Sequence, residues 1–378
     1  GTTIDATKIR YFDLDSDGDG VNNMNDAFPN DPTQTTDSDD DGYGDNPNGN
    51  AADAFPNDNT QWKVVTVDPT YSSEGLIASK LLRKPTVGTF HTFFADPGYL
   101  KSFGLPTFDF IQRFMWWYSI KFFNACRFVT SPSKSVKDAL IAHGIRFDPI
   151  IIPNGIERPV RVDADQIMKK RNEIGIYGPS FVYCGRISPE KSLDVVLRAF
   201  ALVQKKRRRA KLVIIGDGPT KSDLETLAVE LGIQKHVIFL GHISHEKLIE
   251  DNLLLLADTF VTASKTENQP MSILEAMSFG LPVVGPTAKG IPELIEDRVN
   301  GLLFEPDDHE EMASCMLVMA NKRRQRKRMG HGALKFAAEY QMPQVVDRLE
   351  EVYQQAIQQR QGKKKPEDIV AFPKSGLF

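Results

Sequence analysis

Arg186 and Lys191 lie in Gly185-Arg-Ile-Ser-Pro-Glu-Lys191, between an apolar run ending at Cys184 and a helical pattern that Ser188 can cap and Pro189 can open. The first amides of a helix lack intrahelical partners and attract anions, so two cations beside them make a site for a diphosphate. A second pair, Glu267 and Glu275, is separated by seven residues in Glu267-Asn-Gln-Pro-Met-Ser-Ile-Leu-Glu275. Pro270 suits the first turn of a helix, which puts Glu267 in the preceding loop and Glu275 in the second turn. Carboxylate oxygens accept hydrogen bonds in defined directions, as sugar hydroxyls require. Taken singly, each pair also reads as ordinary surface charge.

A different chemistry occupies residues 1–62, where two similar units run from Asp13 to Asp31 and from Asp37 to Asp58. Asp15, Asp17 and Asp19 alternate and are followed by Gly20, with Asn23 and Asp26 at the ninth and twelfth places. Asp37, Asp39 and Asp41 repeat the pattern before Gly42, with Asp45 and Asn48 at the later places. Alternate carboxylates followed by a sharply turning Gly fold around one hard cation, and oxygen ligands without His or Cys favour calcium. With Asp13, these residues are the expected calcium ligands; the alternative is an acidic linker with too little apolar surface to fold.

These side chains need a scaffold to present them. From Lys63 onward, Val/Ile/Phe-rich runs at 63–67, 86–90, 127–131 and 149–152, then 180–184, 211–215, 236–240, 259–263 and 282–285, alternate with helical patterns. That alternation predicts parallel sheets with crossover helices. A helix is expected over 189–205, with Leu193, Val196, Leu197, Phe200 and Val203 on one face. The second strand set ends in Gly185, Gly216, Gly241, Ser264 and Gly285. Ligands of doubly wound sheets bind just beyond such carboxyl ends, so the chemistry is expected along one rim. Pro153-Asn-Gly155 marks the hinge between the strand sets. The expected domains are 1–62, 63–152, 153–358 and a tail over 359–378.

Charge divides the chain the same way. Among 378 residues the net charge is −4, but residues 1–61 carry fourteen Asp against Lys8 and Arg10, a charge of −12, while the other 36 acids and 44 bases give +8. The basic run from Lys205 to Arg209 reads either as solvated cations at a helix C terminus or as an attractor of phospholipid or nucleic acid. No nucleic-acid role is expected from the overall balance. The three cysteines, Cys126, Cys184 and Cys315, offer no disulfide framework, and a reducing compartment suits residues 62–378. With no run of eighteen apolar residues and a start at Gly-Thr-Thr-Ile-Asp, the chain is expected neither to span a membrane nor to carry an export signal, and reads as a fragment.

In order and spacing, Gly185-Arg-x3-Glu-Lys191, Gly216-Asp-Gly-Pro219, the two glutamates, Gly290-Ile-Pro-Glu293 and Asn300-Gly301 resemble the family-4 retaining glycosyltransferases of the GT-B fold, over about 64–358. The resemblance implies an α/β architecture of two Rossmann-like domains and a nucleotide-diphosphate sugar donor, with UDP-glucose as the expected compound. It implies that Arg186 and Lys191 hold the diphosphate, Glu275 the ribose and Glu267 the transferred sugar. Gly216 lets the base pass close to the strand end, and Gly185, Met271 and Ser272 complete the donor set. His91, in Thr89-Phe-His-Thr92, resembles the family's cleft histidine and is expected to be catalytic with Arg186, Lys191 and Glu267. Fixed positive charge helps a departing diphosphate most in the transition state, so no catalytic metal is expected. His242 and His245 have no further ligands nearby in sequence and are not read as a metal pair.

The segment 1–62 resembles thrombospondin type 3 repeats, which implies structural calcium and an extracellular setting, whereas the transferase part implies a cytoplasmic or inner-membrane-face one. Phe90 to Tyr99 and Phe108 to Phe123, with Trp116, Trp117, Tyr118, Phe122 and Phe123, look similar to enzymes that glycosylate diacylglycerol or related membrane lipids. Flanked by Arg113, Lys121 and Arg127, these rings fit either contact with an anionic membrane and a lipid or glycan acceptor, or a domain core. The family opens with elements that do not precede residue 63 here, so the acceptor side is expected to be truncated. Two functions follow: a transferase, or a calcium-dependent binding module fused to a transferase remnant that binds nucleotide without turnover.

Overall fold

A computed structural model describes residues 65–67, 86–90, 108–157, 159 and 163–360. The calcium ligands expected between Asp13 and Asp45, and His91, lie outside the described residues. The chain divides into two compact units, one of residues 1–66, 75–86 and 353–378 and one of residues 67–74 and 87–352. Little of the first is described; the second holds most of the elements that follow.

Four strands, β1 (Val65–Val67), β2 (Thr86–Thr89), β3 (Phe128–Ser131) and β4 (Ile150–Ile151), form a sheet in chain order. The β2–β3 and β3–β4 pairings are parallel. Helix α1 (Asp109–Phe123) leads into β3, and α2 (Lys134–Ala142) leaves it. Ile120, Phe122 and Phe123 of α1 are buried, whereas Phe110, Phe114, Trp117 and Tyr118 are exposed, so the aromatic segment is core at one end and surface at the other.

Helix α3 (Ala164–Glu173) precedes the larger sheet. Its strands are β5 (Ser180–Cys184), β6 (Lys211–Ile215), β7 (Val237–Gly241), β8 (Thr259–Val261), β9 (Val283–Pro286) and β10 (Gly301–Phe304). They lie side by side in the order β10-β9-β8-β5-β6-β7, every pairing parallel. The chain builds outward from β5 to one edge, returns to β8 beside β5 and builds to the other edge. This doubly wound order opens a crevice at the carboxyl ends of β5 and β8.

Crossover helices cover both faces. On one, α4 (Leu193–Lys206) and α9 (His309–Asn321) pack with Phe181, Leu212, Ile214 and Val284. On the other, α7 (Met271–Ser278) and α10 (Arg323–Ala337) pack with Val182, Val213, Phe260 and Val283. Successive strand residues point to opposite faces, and both faces are buried, which is why these strands read as unbroken apolar runs. The remaining helices are α5 (Lys221–Glu230), α6 (His245–Glu250), α8 (Ile291–Leu294) and α11 (Met342–Arg360).

Several expectations change. The helix expected over 189–205 is two pieces: Pro189–Lys191 is a 3₁₀ turn, Ser192 takes a left-handed φ of 50°, and α4 starts only at Leu193. Ser188 does not cap it, because its hydroxyl donates to Glu190 Oε1 at 2.5 Å. Pro270 precedes the first helical residue, Met271, rather than lying within the first turn. The strand β10, absent from the expected set, follows the Asn300-Gly301 turn as Gly-Leu-Leu-Phe.

Candidate functional site

The loops leaving β5 and β6 are stitched together by backbone. The Gly185 amide donates to Ile215 O at 3.0 Å, and the Ile187 amide donates to Asp217 O at 2.9 Å. Gly216 has φ 140°, and a Cβ there would run into the Gly185 carbonyl. Both observations demand glycine, and together they leave the strand ends open to a close backbone approach. A Cβ on Gly290 would strike Asn268 O, and the Gly290 amide donates to Glu267 O at 3.0 Å. The Gly290-Ile-Pro-Glu293 motif thus clamps the loop that carries Glu267.

At the crevice, Lys191 Nζ donates to Glu267 Oε1 at 2.5 Å, and both side chains are about one-fifth exposed. An ammonium has three N–H donors, so one bond to Glu267 leaves two for a phosphate. Arg186 is more open, 54% exposed, with Nη2 3.3 Å from Glu190 Oε1 and Nε donating to Ser188 Oγ at 3.2 Å. Burial tends to raise the Glu190 carboxyl, but the Ser188 hydroxyl, its own backbone amide and the charges of Arg186 and Lys191 hold it below its usual range. Glu190 therefore stays ionised and keeps Arg186 over the crevice. Ser264 Oγ donates to Glu190 O at 3.5 Å, joining the β5 and β8 loops.

Glu275 lies in the second turn of α7, as expected, and its carboxylate is only 12% exposed. Its Oε1 accepts from His245 Nε2 at 2.9 Å. His245 is the first residue of α6 and not part of the loop before it. Burial, followed by the charge of Glu275, pushes the Cys184 thiol at the end of β5 up to about 12. Burial, followed by the charge of Glu267, raises the Tyr183 phenol. The structure thus brings Gly185, Arg186, Lys191, Gly216, Glu267, Met271, Ser272 and Glu275 to one rim.

Two contacts were beyond sequence reasoning. His245 supports Glu275 from 30 residues away, and no local pattern marks the partnership. Glu293, in α8, accepts the Lys134 and Ser135 amides at 2.7 and 2.6 Å, capping the first turn of α2 from 159 and 158 residues downstream. A side-chain oxygen at a helix start satisfies amides with no intrahelical partner. Glu293 therefore ties α2, beside the four-stranded sheet, to the clamp behind Glu267. A second tie runs from the Asn154 amide to Gln269 Oε1 at 2.6 Å.

Beside α1, Trp116, Trp117, Arg113, Lys121, His143 and Arg146 are among the residues lining a cavity of about 870 Å³. Trp116 stacks on His143 with ring centroids 3.7 Å apart. Among the described residues no helix is long and apolar enough to cross a membrane.

The two parallel sheets and the rim at the β5–β8 crevice define an α/β protein of the GT-B glycosyltransferase fold. Residues 166–336 match the family described as Glycosyl transferases group 1, and residues 59–158 match Glycosyltransferase Family 4. The chain is 32% identical over 238 residues to the alpha-monoglucosyldiacylglycerol synthase of Streptococcus pneumoniae, covering 61% of this chain and 52% of that protein. It is 27% identical over 242 residues to the protein of the same name from Acholeplasma laidlawii, covering 62% and 60%. Among solved structures it resembles Anabaena Alr3699/HepE in complex with UDP, with a TM-score of 0.67 and 21% identity over 78% of this chain and 79% of that one. The chain thus carries glycosyltransferase group 1 and family 4 domains and is homologous to glucosyldiacylglycerol synthases, while spanning between 51% and 60% of the first three curated relatives.

Proposed function

We propose that the chain is a retaining hexosyltransferase that moves glucose from UDP-glucose to a membrane lipid such as diacylglycerol. The observation that carries this reading is the convergence of Arg186, Lys191 and Glu267 with Glu275 at the doubly wound crevice. Arg186 and Lys191 face the diphosphate, where negative charge grows as the sugar departs, and so act most strongly in the transition state. They neutralise that charge without a metal. Glu275, steadied by His245, accepts the ribose hydroxyls, Glu267 accepts hydroxyls of the transferred sugar, and Gly216 leaves room for the base. His91 is assigned a catalytic role in this reading, on the likeness of its segment Thr89-Phe-His-Thr92 to the family's. UDP and UDP-glucose appear in the solved structures of Anabaena Alr3699/HepE, which supports the donor. The lipid acceptor is supported by the names of the two diacylglycerol relatives and by the exposed rings of α1 beside Arg113 and Lys121. Residues 13–45 hold structural calcium in this reading, on the spacing of their carboxylates.

Calorimetry with UDP, then transfer from UDP-glucose to diacylglycerol vesicles with and without calcium, tests the proposal. UDP binding with lipid glucosylation is the expected result. Absence of UDP binding would overturn the donor site, and binding without transfer would favour a remnant that only holds nucleotide.

A further inference from the structure

The six-stranded sheet has a second rim, at the amino-terminal ends of its strands, and the donor chemistry does not use it. Helix α4 ends there at Lys206, and Lys205 to Arg209 lead into β6. Helix α9 also ends there at Asn321, followed by Lys322 and by α10, which opens with Arg323 and Arg324 and carries Lys327 and Arg328 in its next turn. Arg207 Nε donates to Asn321 Oδ1, which joins the two basic runs although 114 residues separate them. All ten of these cations are exposed. Among the described residues none has a carboxylate within 4.0 Å. The nearby carboxylate of Asp258 is already shared between Arg171 at 3.5 Å and Arg326 at 3.4 Å.

Fold stability does not account for this arrangement. Cations at the C terminus of α4 are favoured by the helix dipole, but Arg323 and Arg324 stand at the positive end of α10, whose first turn has no acidic residue. Ten like charges on one rim repel one another, and a bound outside anion would offset that. The donor diphosphate is not that anion, because the five residues of β5, at ~3.3 Å each, put the two rims about 17 Å apart.

We propose that this rim is a docking surface for an anionic bilayer, gripping lipid phosphates through Lys205–Arg209 and Lys322–Arg328. Clusters of this size bind acidic headgroups by summed electrostatic attraction. Neither run contains an aromatic residue on which a base could stack, which disfavours single-stranded nucleic acid. The surface extends the lipid-acceptor reading but does not depend on the donor site.

The test is co-sedimentation of the full chain with phosphatidylcholine vesicles, with and without phosphatidylglycerol, alongside the R208E/R209E/R323E/R324E variant. Binding is expected only with phosphatidylglycerol, is expected to be lost at about 0.5 M salt, and is expected to weaken about a hundredfold or more in the variant. UDP calorimetry on both chains reports the donor site separately, and circular dichroism checks the fold. If the charge-reversed chain does not fold, the neutral R208Q/R209Q/R323Q/R324Q variant takes its place, with a smaller loss expected. Equal vesicle binding by variant and parent would overturn the proposal, as would binding to an oligothymidine that vesicles fail to displace. Failure of UDP to bind while vesicle binding persists would sink the transferase reading and leave this surface standing.

Discussion

Both sheets are parallel, yet they solve glycine packing in different ways. In the four-stranded sheet, a Cβ on Gly88 would meet Cys126 Sγ at 2.8 Å and Phe123 Cδ1 at 2.9 Å, both side-chain atoms. In the six-stranded sheet, a Cβ on Gly216 would meet the Gly185 carbonyl, which cannot rotate away. The first glycine serves a hydrophobic core that can repack; the second holds the shape of a backbone platform. The difference extends to the helices. The exposed face of α1 carries rings and cations, while α4, on the larger sheet, buries nearly its whole apolar face. One region is built as a surface and the other as a precise cleft.

The strongest attempt to break this contrast is to add one methyl group to each sheet. Gly216→Ala combines a left-handed φ with a backbone collision and is expected to cost about 3 kcal/mol and to abolish UDP binding, read by urea unfolding and calorimetry. Gly88→Ala is expected to cost about 1–2 kcal/mol by overpacking while leaving UDP affinity unchanged. Equal effects on UDP binding would erase the distinction.

A smaller effect is expected from charge. Lys191→Ala removes a cation from the donor rim, and loss of a charged hydrogen bond of about 1.5–3 kcal/mol should weaken UDP binding tenfold or more. Weaker still is the tie between the regions: Glu293→Ala leaves the Lys134 and Ser135 amides without this acceptor, while Ser133 still caps Val136, and should lower stability by about 1 kcal/mol with UDP affinity kept. A drop in UDP affinity there would mean that the clamp behind Glu267 needs the α2 contact.

The least effect concerns pH. Burial and then Glu275 raise the Cys184 thiol from 9.0 to about 12 in the folded chain. The folded state therefore holds this proton more tightly than the unfolded state, so the contribution is full below about 9 and is lost as pH rises toward 12. Cys184→Ala should flatten the fall in urea midpoint between about pH 9 and pH 11.

Much of the donor half was legible because its signals are local. Strands buried on both faces appear as apolar runs, and the glutamate spacing places Glu275 in the second turn of α7 as soon as Pro270 starts the helix. The break at Ser192 was not legible, because a helical period continues across it and only the turn after Ser188 imposes the left-handed residue. The strand β10 is only four residues long, and its local mark is the Asn300-Gly301 turn signal. The aromatic segment was ambiguous for a physical reason: rings at helical spacing suit a core or an interface equally until packing assigns each face.

By itself the sequence determined the alternating α/β plan, the split of charge between an acidic start and a basic remainder, and the residue types at the donor rim, because these follow from periodicity and composition. Only the tertiary structure decided which distant groups meet. His245 beside Glu275, Glu293 on the start of α2, and Arg207 against Asn321 join residues between 30 and 158 positions apart. Hydrogen bonds and charge act over a few ångströms of space, and distance along the chain says nothing about them until the sheet order is set.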